Sequence, residues 1–182
     1  MSRNEKAKVV NIKLHQELKG TILDIGGGGE GVIGRLYGNQ VVAIDNRQEE
    51  LDEVPECCRK LLMDATEMTF EDNCFDNATL FYSLMFMSKS SQQKALCEAA
   101  RVVKPSGEVH IWDCNINSAY PDPFCIDVKV QLPESKIQTT YGVGKLDVQN
   151  VESIKEICEL SGLKVYKTET DGLSFFIKCK KK

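Results

Sequence analysis

The sequence predicts an α/β fold, built on a mainly parallel sheet with helices on both faces. Three observations predict this class. Short apolar runs typical of buried strands alternate along the chain with segments of helical periodicity. Four consecutive glycines follow the first such run, where a strand would turn sharply into a helix. Acidic residues stand at or near the carboxyl ends of the first three predicted strands, which a parallel sheet brings to one edge.

The first part of the chain alternates helix and strand three times. Gly20, Gly38 and Pro55 are the residues expected to end the helices. The predicted elements are a helix at about 4–18, a strand at 21–25, a helix from about 31, a strand at 40–45, a weak helix in "QEELDEV" and a strand at 60–64.

The rest of the chain continues this alternation and then changes character. A strand at 77–84, an amphipathic helix in "SSQQKALCEAARVVK", which opens with serine caps, and a strand at 108–113 continue it. Then "IDVKVQL" and "KIQTTYGVG" alternate with period two around the turn "PESK", which predicts a β-hairpin. A helix follows, begun by Asn150 and ended by Gly162. The final runs flank an Asp-Gly turn at 171–172 and predict an antiparallel pair.

Composition bounds the class of protein. The chain has 182 residues, 42% of them hydrophobic, as expected of a single globular domain spanning residues 1–182. Its net charge of −4 gives no general affinity for nucleic acid or for an anionic membrane surface. No apolar stretch approaches the ~20 residues of a membrane span. The polar first residues do not resemble a secretion signal, so we expect a cytoplasmic protein.

The eight cysteines contain no C-x-x-C pair. Without a secretion signal, we expect reduced thiols that act mostly as small core residues. A metal cluster built from Cys57, Cys58 and Cys74 is a less favoured alternative, and the sequence predicts no metal site. The lysine-rich end at 178–182 is interpreted as a solvated tail.

The stretch "ILDIGGGGEGVIG" predicts a ligand site at the edge of the sheet. Glycines at a strand-to-helix turn let a ligand approach backbone N–H groups near the positive end of the helix dipole. A tight turn without a ligand is the alternative, although one glycine would suffice for it. Gly26, Gly28 and Gly31 also fit the G-x-G-x-x-G dinucleotide pattern, with Asp45 at the ribose position. However, a buried Asp24 would disfavour a pyrophosphate and favour a cationic amine or sulfonium.

Four motifs follow one another in order between about Gly20 and Asp113. They are the glycine loop "LDIGGGGEG", the acid-ending strand "VVAID", the segment "MDATEMTFEDNCFD" and the turn "RVVKPSGEVHI". Together they resemble the class I S-adenosylmethionine-dependent methyltransferases, in particular the small-molecule "type 11" branch. The resemblance implies a Rossmann-like seven-stranded, mostly parallel sheet with helices on both faces. To this sheet the residue pattern adds the antiparallel C-terminal hairpin strands and the β-hairpin inserted at about 125–144. The resemblance also implies S-adenosylmethionine as the cofactor.

The resemblance implies that one group of residues lies around the reacting end of the cofactor. Asp24 and the backbone of Gly26 and Gly28 would hold the methionine end. Tyr82 and Ser83, at the end of the fourth strand, would line the pocket near the methyl group.

A second group would hold the nucleoside. Asp45, flanked by Asn46, would bind the ribose hydroxyls, and such bonds to a carboxylate are strong because they are charge-assisted. Asp64 would accept a hydrogen bond from the adenine amino group, and Ala65 would supply a backbone contact. Three acids suit a ligand that carries cationic groups and no phosphate. For Asp45 and Asp64, a helix cap or a solvated loop charge is the alternative.

The sequence departs from the family's pattern in two places. Glu30 stands where the usual Gly-x-Gly-x-Gly has its third glycine. Met85 and Phe86 stand where relatives often carry histidines after the fourth strand, which removes a candidate base and leaves an apolar wall. Because N/D-P-P-Y/F is absent there, methylation of an adenine-like exocyclic amine through that motif is disfavoured.

Methyl transfer from a sulfonium is an in-line displacement that depends mainly on alignment, and a general base is optional. The weak candidates for a catalytic role are Tyr82, Asp113 and Tyr141, together with Cys114. His110 is interpreted as a packing residue and His15 as a surface residue.

The acceptor is expected to be a small molecule, because the domain leaves little room for recognition of a large one. The hairpin at about 125–144 is expected to cover the acceptor; a sheet extension or a homodimer contact is the alternative. Two other functions stay open at this point. A cofactor-binding regulatory domain without catalysis would explain the lack of an evident base, and an NAD-dependent oxidoreductase would explain the glycine pattern alone.

Overall fold

Two sheets and four helices make up the described part of the protein. The computed structural model describes residues 8–118 and 120–182. The strands are Lys8–Lys13 (β1), Ile22–Ile25 (β2), Val41–Asp45 (β3), Arg59–Leu62 (β4), Phe75–Phe81 (β5), Val103–Cys114 (β6), Phe124–Gln131 (β7), Lys136–Val143 (β8), Leu163–Thr170 (β9) and Ser174–Lys181 (β10). The helices are Val32–Tyr37 (α1), Gln48–Glu53 (α2), Lys89–Val102 (α3) and Val151–Leu160 (α4).

The central sheet has seven strands in the order β4-β3-β2-β5-β6-β10-β9. The prediction of a mostly parallel sheet is corrected, because the sheet is mixed. Strands β2 to β6 pair in parallel, whereas β10 pairs antiparallel with both β6 and β9. The antiparallel edge arises because the tight turn at 171–172 folds β10 straight back along β9. The predicted C-terminal antiparallel pair is thereby confirmed.

A smaller sheet, in the order β1-β7-β8, packs against one face of the central sheet. Strands β7 and β8 form an antiparallel hairpin where the sequence predicted one, and β1 adds to β7 in parallel. The predicted helix at about 4–18 is wrong in its described part, and residues 4–7 lie outside the described residues. Val10, Leu14 and Leu18 have helical spacing, but residues 8–13 are rich in β-branched side chains and pair with β7.

Two apolar layers lie on opposite faces of the central sheet. Helices α3 and α4 bury Leu96 and Ile154 in the same layer as Leu23 of β2. Helix α1 and the smaller sheet form the other layer, where Ile33 packs with the neighbouring β2 residue Ile22. Successive residues of β2 therefore point to opposite layers, as expected of a strand buried on both faces. The expectation of helices on both faces is confirmed.

Helix boundaries follow from local hydrogen bonds. Asn150 begins α4, as predicted, and its side chain accepts a hydrogen bond from the Ser153 N–H at 2.9 Å. Helix α3 begins earlier than predicted, because the Ser88 hydroxyl accepts from the Ser91 N–H at 3.2 Å and caps it. Within residues 8–118 and 120–182, no helix has the length and apolar character needed to cross a membrane.

Candidate active site

A cavity of about 770 Å³ opens at the carboxyl ends of β2 to β5 and extends under β8. Its position agrees with the edge at which open α/β sheets bind ligands. The residues that line it are Gly26, Gly28, Gly29, Glu30, Ile44, Asp45, Asn46, Arg47, Glu50, Met63, Asp64, Ala65, Thr66, Phe81, Tyr82, Ser83, Phe86, Met87, Ser88, Ser91, Tyr141 and Gly142.

The glycine loop forms the floor of this cavity and leaves no room for side chains. A Cβ on Gly26 would lie 2.5 Å from the Ser83 Cβ, and one on Gly27 would lie 2.4 Å from an Asp24 carboxylate oxygen. Gly26 also has a φ of 70°, a conformation that L side chains rarely adopt. The run of glycines is therefore required both by the turn and by the close approach of neighbouring elements.

Several backbone N–H groups of the loop are bonded to neighbouring elements rather than free for a ligand. The N–H groups of Gly26 and Gly27 both donate to the carbonyl oxygen of Ile44 on β3, at 2.9 and 3.0 Å. The Gly29 N–H donates to the Glu50 carbonyl at 2.8 Å. These bonds hold the loop against β3 and α2. The loop is therefore fixed in place, and these three N–H groups are already used.

Asp24 is buried beneath the loop and is not among the cavity-lining residues. Its Oδ1 accepts a hydrogen bond from the Thr79 hydroxyl on β5 at 2.7 Å. Burial raises the pKa of the Asp24 carboxyl from its usual 3.8 to about 7, and the nearby charge of Asp45 adds to the rise. Ionising this buried carboxyl therefore costs free energy, and a cation bound nearby would offset that cost.

Asp45 and Asp64 lie at the rim with their carboxylates in the cavity wall. Asp45 accepts hydrogen bonds from the N–H groups of Gly28 at 3.3 Å and Arg47 at 3.1 Å. Asp64 accepts from both the N–H and the hydroxyl of Thr66 at 2.8 Å, and these bonds lower the pKa of its carboxyl. A carboxylate has about four acceptor positions, so each acid keeps capacity for a ligand.

Tyr82 and Ser83 follow β5 and carry buried hydroxyl groups. Neither hydroxyl has a hydrogen-bond partner among the residues that the structure describes. Tyr82 has a φ of 51°, and burial raises the pKa of its hydroxyl. Its ring stacks on Tyr141 of β8, with ring centres 5.2 Å apart and planes 19° from parallel. Phe86 meets the same Tyr141 ring edge-on at 6.3 Å, so three aromatic side chains form one wall of the cavity.

Asp113 lies outside the cavity lining, in a buried hydrogen-bond network. Its carboxylate accepts from the N–H groups of Met85 at 3.2 Å and Cys114 at 2.8 Å, and from the Gln149 amide at 2.8 Å. Burial raises the pKa of this carboxyl to about 6. The Lys145 ammonium donates to the Met85 carbonyl at 3.2 Å, which also fixes the segment after β5.

The two histidines lie away from the cavity. His110 is buried on β6, where its ring nitrogen lies 2.9 Å from a Glu108 carboxylate oxygen, and burial lowers its pKa. His15 is exposed. Both lie beside a separate groove between the segment after β1 and the outer strands of the central sheet.

The structure brings together most of the predicted residues and adds some that sequence reasoning missed. Asp45, Asn46, Asp64, Ala65, Tyr82, Tyr141 and the backbone of Gly26 and Gly28 share the cavity lining, whereas Asp24, Asp113 and Cys114 do not. The missed residues include Arg47 and Glu50, which pair with each other on the rim. The only sequence signal for them is their position directly after the acid-ending strand β3.

The chemistry of the lining fits a cationic nucleoside better than a dinucleotide. Among the described lining residues, the carboxylates are Glu30, Asp45, Glu50 and Asp64, and the one basic side chain is Arg47, paired with Glu50. Carboxylates accept bonds from hydroxyl and amino groups but repel phosphate oxygens.

Comparison with known proteins gives a partial match to one family and a shared fold. Residues 23–111, just under half of the chain, match the sequence profile of the family described as "Methyltransferase domain". A protein from Pyrococcus horikoshii OT3 has a similar structure, with 17% identity over 92% of this chain and 85% of that chain, at a TM-score of 0.68. A search among curated proteins finds no match.

Two further structures have the same fold. A protein of Methanosarcina mazei, described as a SAM-dependent methyltransferase, is 17% identical over 93% of this chain and 99% of that chain, at a TM-score of 0.67. The (4+2)-cyclase SpnF is also 17% identical, over 90% and 76% of the two chains, at a TM-score of 0.65. Since a cyclase shares the fold, likeness at this identity establishes architecture alone.

Proposed function

We propose that the chain is a class I S-adenosylmethionine-dependent methyltransferase, and that it transfers the methyl group to a small-molecule acceptor held in the same cavity as the cofactor. One observation supports this proposal most: the cavity combines a closely packed glycine floor with carboxylates at the ends of adjacent strands. The match to the methyltransferase family covers these same motifs.

We propose that the rim carboxylates bind the nucleoside. Asp45 would accept bonds from the ribose hydroxyls beside Asn46, and Asp64 would accept one from the adenine amino group beside the backbone of Ala65. The bonds these acids already make to Gly28, Arg47 and Thr66 fix their orientation before the cofactor arrives. Such preorganisation lowers the entropic cost of binding.

The loop would receive the methionine end. Gly26 and Gly28 line the cavity and would allow close approach of the ligand to the backbone. A direct contact of Asp24 with the amino group stays a prediction, because the Asp24 carboxyl lies beneath Gly27. Its proposed contribution is to support the loop from below and to favour positive charge above it.

S-adenosylmethionine supplies a methyl group on a positively charged sulfur, and the leaving thioether needs no protonation. The protein's part is to align the acceptor and exclude water. We propose that the aromatic wall formed by Tyr82, Phe86 and Tyr141 does this. Among the described lining residues there is no histidine, lysine or cysteine. The Glu30 carboxylate, which accepts a hydrogen bond from the Tyr141 hydroxyl, lies beside this wall.

Asp113 is proposed to act through the segment after β5 and not on the acceptor itself. Its carboxylate bonds the Met85 N–H and is buried among other protein groups. It therefore positions the backbone that follows Tyr82 and Ser83.

The hairpin at about 125–144 is proposed to cover the acceptor. Its outer strand places Tyr141 and Gly142 in the cavity lining. Deleting the whole hairpin would be a poor test, because Ile126, Val128 and Val130 of β7 are fully buried in the core. Point substitutions on β8 test the same idea in an intact fold.

Isothermal titration calorimetry tests the cofactor assignment. We expect S-adenosylmethionine and its demethylated product S-adenosylhomocysteine to bind, and NAD not to bind. Asp45→Ala should weaken binding of S-adenosylhomocysteine by about 1–3 kcal/mol, roughly 5- to 150-fold, because charged hydrogen bonds to the ribose are lost.

Asp127→Ala is the matched control, since Asp127 bonds the Thr140 hydroxyl on the outside of the hairpin and does not line the cavity. Wild-type affinity in Asp45→Ala, or binding of NAD in place of the nucleoside, would contradict the assignment. The acceptor can be sought by incubating the protein with methyl-labelled cofactor and a whole-cell extract, followed by separation of metabolites from macromolecules. Label recovered only in macromolecules would reject a small acceptor.

A further inference from the structure

Glu30 makes a contact that its place in the sequence does not suggest. It stands in the glycine loop between Gly29 and Gly31, where the resembling family usually has a glycine. Its carboxylate accepts hydrogen bonds from the hydroxyls of Thr139 and of Tyr141, the latter at 3.3 Å. Both partners belong to β8, so this one side chain joins the floor of the cavity to its cover.

The loop holds Glu30 firmly. Gly29 before it donates its N–H to the Glu50 carbonyl at 2.8 Å, and Gly31 after it begins α1. The Glu30 carbonyl also accepts a hydrogen bond from the Arg35 side chain at 2.7 Å. The carboxylate is half-buried and starts from a backbone that is fixed on both sides.

Strand β8, in contrast, is held on one side only. It is the edge strand of the smaller sheet and pairs with β7 alone. Its inward-facing residues are Ile137, Thr139, Tyr141 and Val143. Beyond its pairing with Ile126 on β7, Tyr141 is held over the cavity by the bond to Glu30 and by the aromatic contacts with Tyr82 and Phe86.

We propose that Glu30 is a positioning residue that fastens β8 over the cofactor loop and so sets the place of the Tyr141 wall of the acceptor site. This inference rests on the proposed function, since it assumes that the loop receives the cofactor. A cofactor bound on the fixed loop would then contact a β8 that Glu30 already holds above it, and these contacts would restrain β8 further, although Glu30 itself need not touch the cofactor. Glutamine at this position keeps an acceptor oxygen for the two hydroxyls, whereas glycine keeps none.

Hydrogen exchange measured by mass spectrometry tests the proposal without knowledge of the acceptor. The readout is the exchange rate of peptides covering 136–143, with and without saturating S-adenosylhomocysteine. In the ligand-free proteins, Glu30→Gly should speed exchange in this segment by about tenfold or more relative to wild type and Glu30→Gln. On adding the ligand, exchange in 136–143 should slow in wild type and in Glu30→Gln but not in Glu30→Gly.

Calorimetry accompanies the exchange experiment. Thr139→Val removes one partner of Glu30 at a residue outside the cavity lining, so it should bind S-adenosylhomocysteine within about threefold of wild type. The double variant Thr139→Val, Tyr141→Phe removes the partner hydroxyls and should show the same exchange rates as Glu30→Gly. It therefore provides the same test if Glu30→Gly does not fold.

Equal exchange of 136–143 in wild type, Glu30→Gly and the double variant would overturn the proposal. Faster exchange in Glu30→Gly together with wild-type exchange in the double variant would also overturn it, because the effect of Glu30 would then not pass through the two β8 hydroxyls. If wild type itself fails to bind S-adenosylhomocysteine, the proposed function fails, and the ligand-free comparison still decides whether Glu30 fastens β8.

Discussion

The Asp24 carboxyl is buried under the glycine loop, where residues 26–29 have no side chains. Gly27 must be glycine because a Cβ there would lie 2.4 Å from an Asp24 oxygen. The sequence alone could predict that an acid and a glycine turn belong together. It could not show that the acid points under the turn and bonds Thr79, because that depends on how β2 and β5 pair.

The raised pKa of Asp24 predicts a pH dependence of stability. Its carboxyl has a pKa of about 7 in the folded protein, against a usual 3.8, so the folded state keeps a proton that the unfolded state loses. The free energy of unfolding should therefore fall as pH rises from about 4 to 7, by at most about 1.4 kcal/mol per pH unit from this group. Asp24→Asn should flatten the curve, so its stability relative to wild type should improve between pH 5 and 8 in urea unfolding experiments.

Asp76→Asn is the matched control for that measurement. The Lys104 ammonium and the Thr21 N–H and hydroxyl hold the pKa of the Asp76 carboxyl at about 2, so it is ionised in both states above about pH 5. Its substitution should shift stability by the same amount at every pH from 5 to 8. Parallel curves for wild type and Asp24→Asn would contradict the burial argument.

Among the elements, β1 is the one that the sequence misidentified. The apolar residues Val10, Leu14 and Leu18 of this N-terminal segment have a spacing that suits a helix, whereas the β-branched residues of β1 suit a strand. Local preference could not decide between them, because the partner strand β7 lies in the second half of the chain. Once β7 is in place, pairing satisfies the backbone of β1 and buries Val10 against the core.

Substitution of an exposed valine on β1 should change the free energy of unfolding in opposite directions for a strand and for a helix. Val9 is 46% exposed, so its substitution changes backbone preference more than packing. Val9→Ala should lower the free energy of unfolding by up to about 1 kcal/mol in a strand, whereas in a helix it would raise it by up to about 0.7 kcal/mol.

Val148→Ala, at a similarly exposed position outside strands and helices, should change the free energy of unfolding by less. The measurement is urea unfolding of the three proteins at one pH. A stabilised Val9→Ala protein would mean that the N-terminal segment is helical after all.

At the scale of the whole molecule, the sequence predicted the features that are set by residues close together along the chain. The glycine loop, the acids at the ends of β3 and β4, the cap of α4 and the final hairpin are all local features. The mixed character of the sheet and the position of the smaller sheet over the cavity depend on contacts between distant segments. Glu30 and Thr139 are 109 residues apart, and no local pattern connects them.

The described cavity is built partly from local sequence motifs and partly from contacts between distant segments. Local motifs supply the carboxylates and the floor, and long-range packing supplies the cover that carries Tyr141. Under the proposed function, this division separates a cofactor half built from local motifs from an acceptor half built by long-range packing.

The most direct test is a crystal structure of the protein soaked with S-adenosylhomocysteine. We expect the ribose hydroxyls to be bonded to Asp45 and the adenine amino group to Asp64. The amino acid end of the ligand should lie over Gly26 and Gly28. An empty cavity at saturating ligand, or a nucleoside bound with these carboxylates facing solvent, would contradict this expectation.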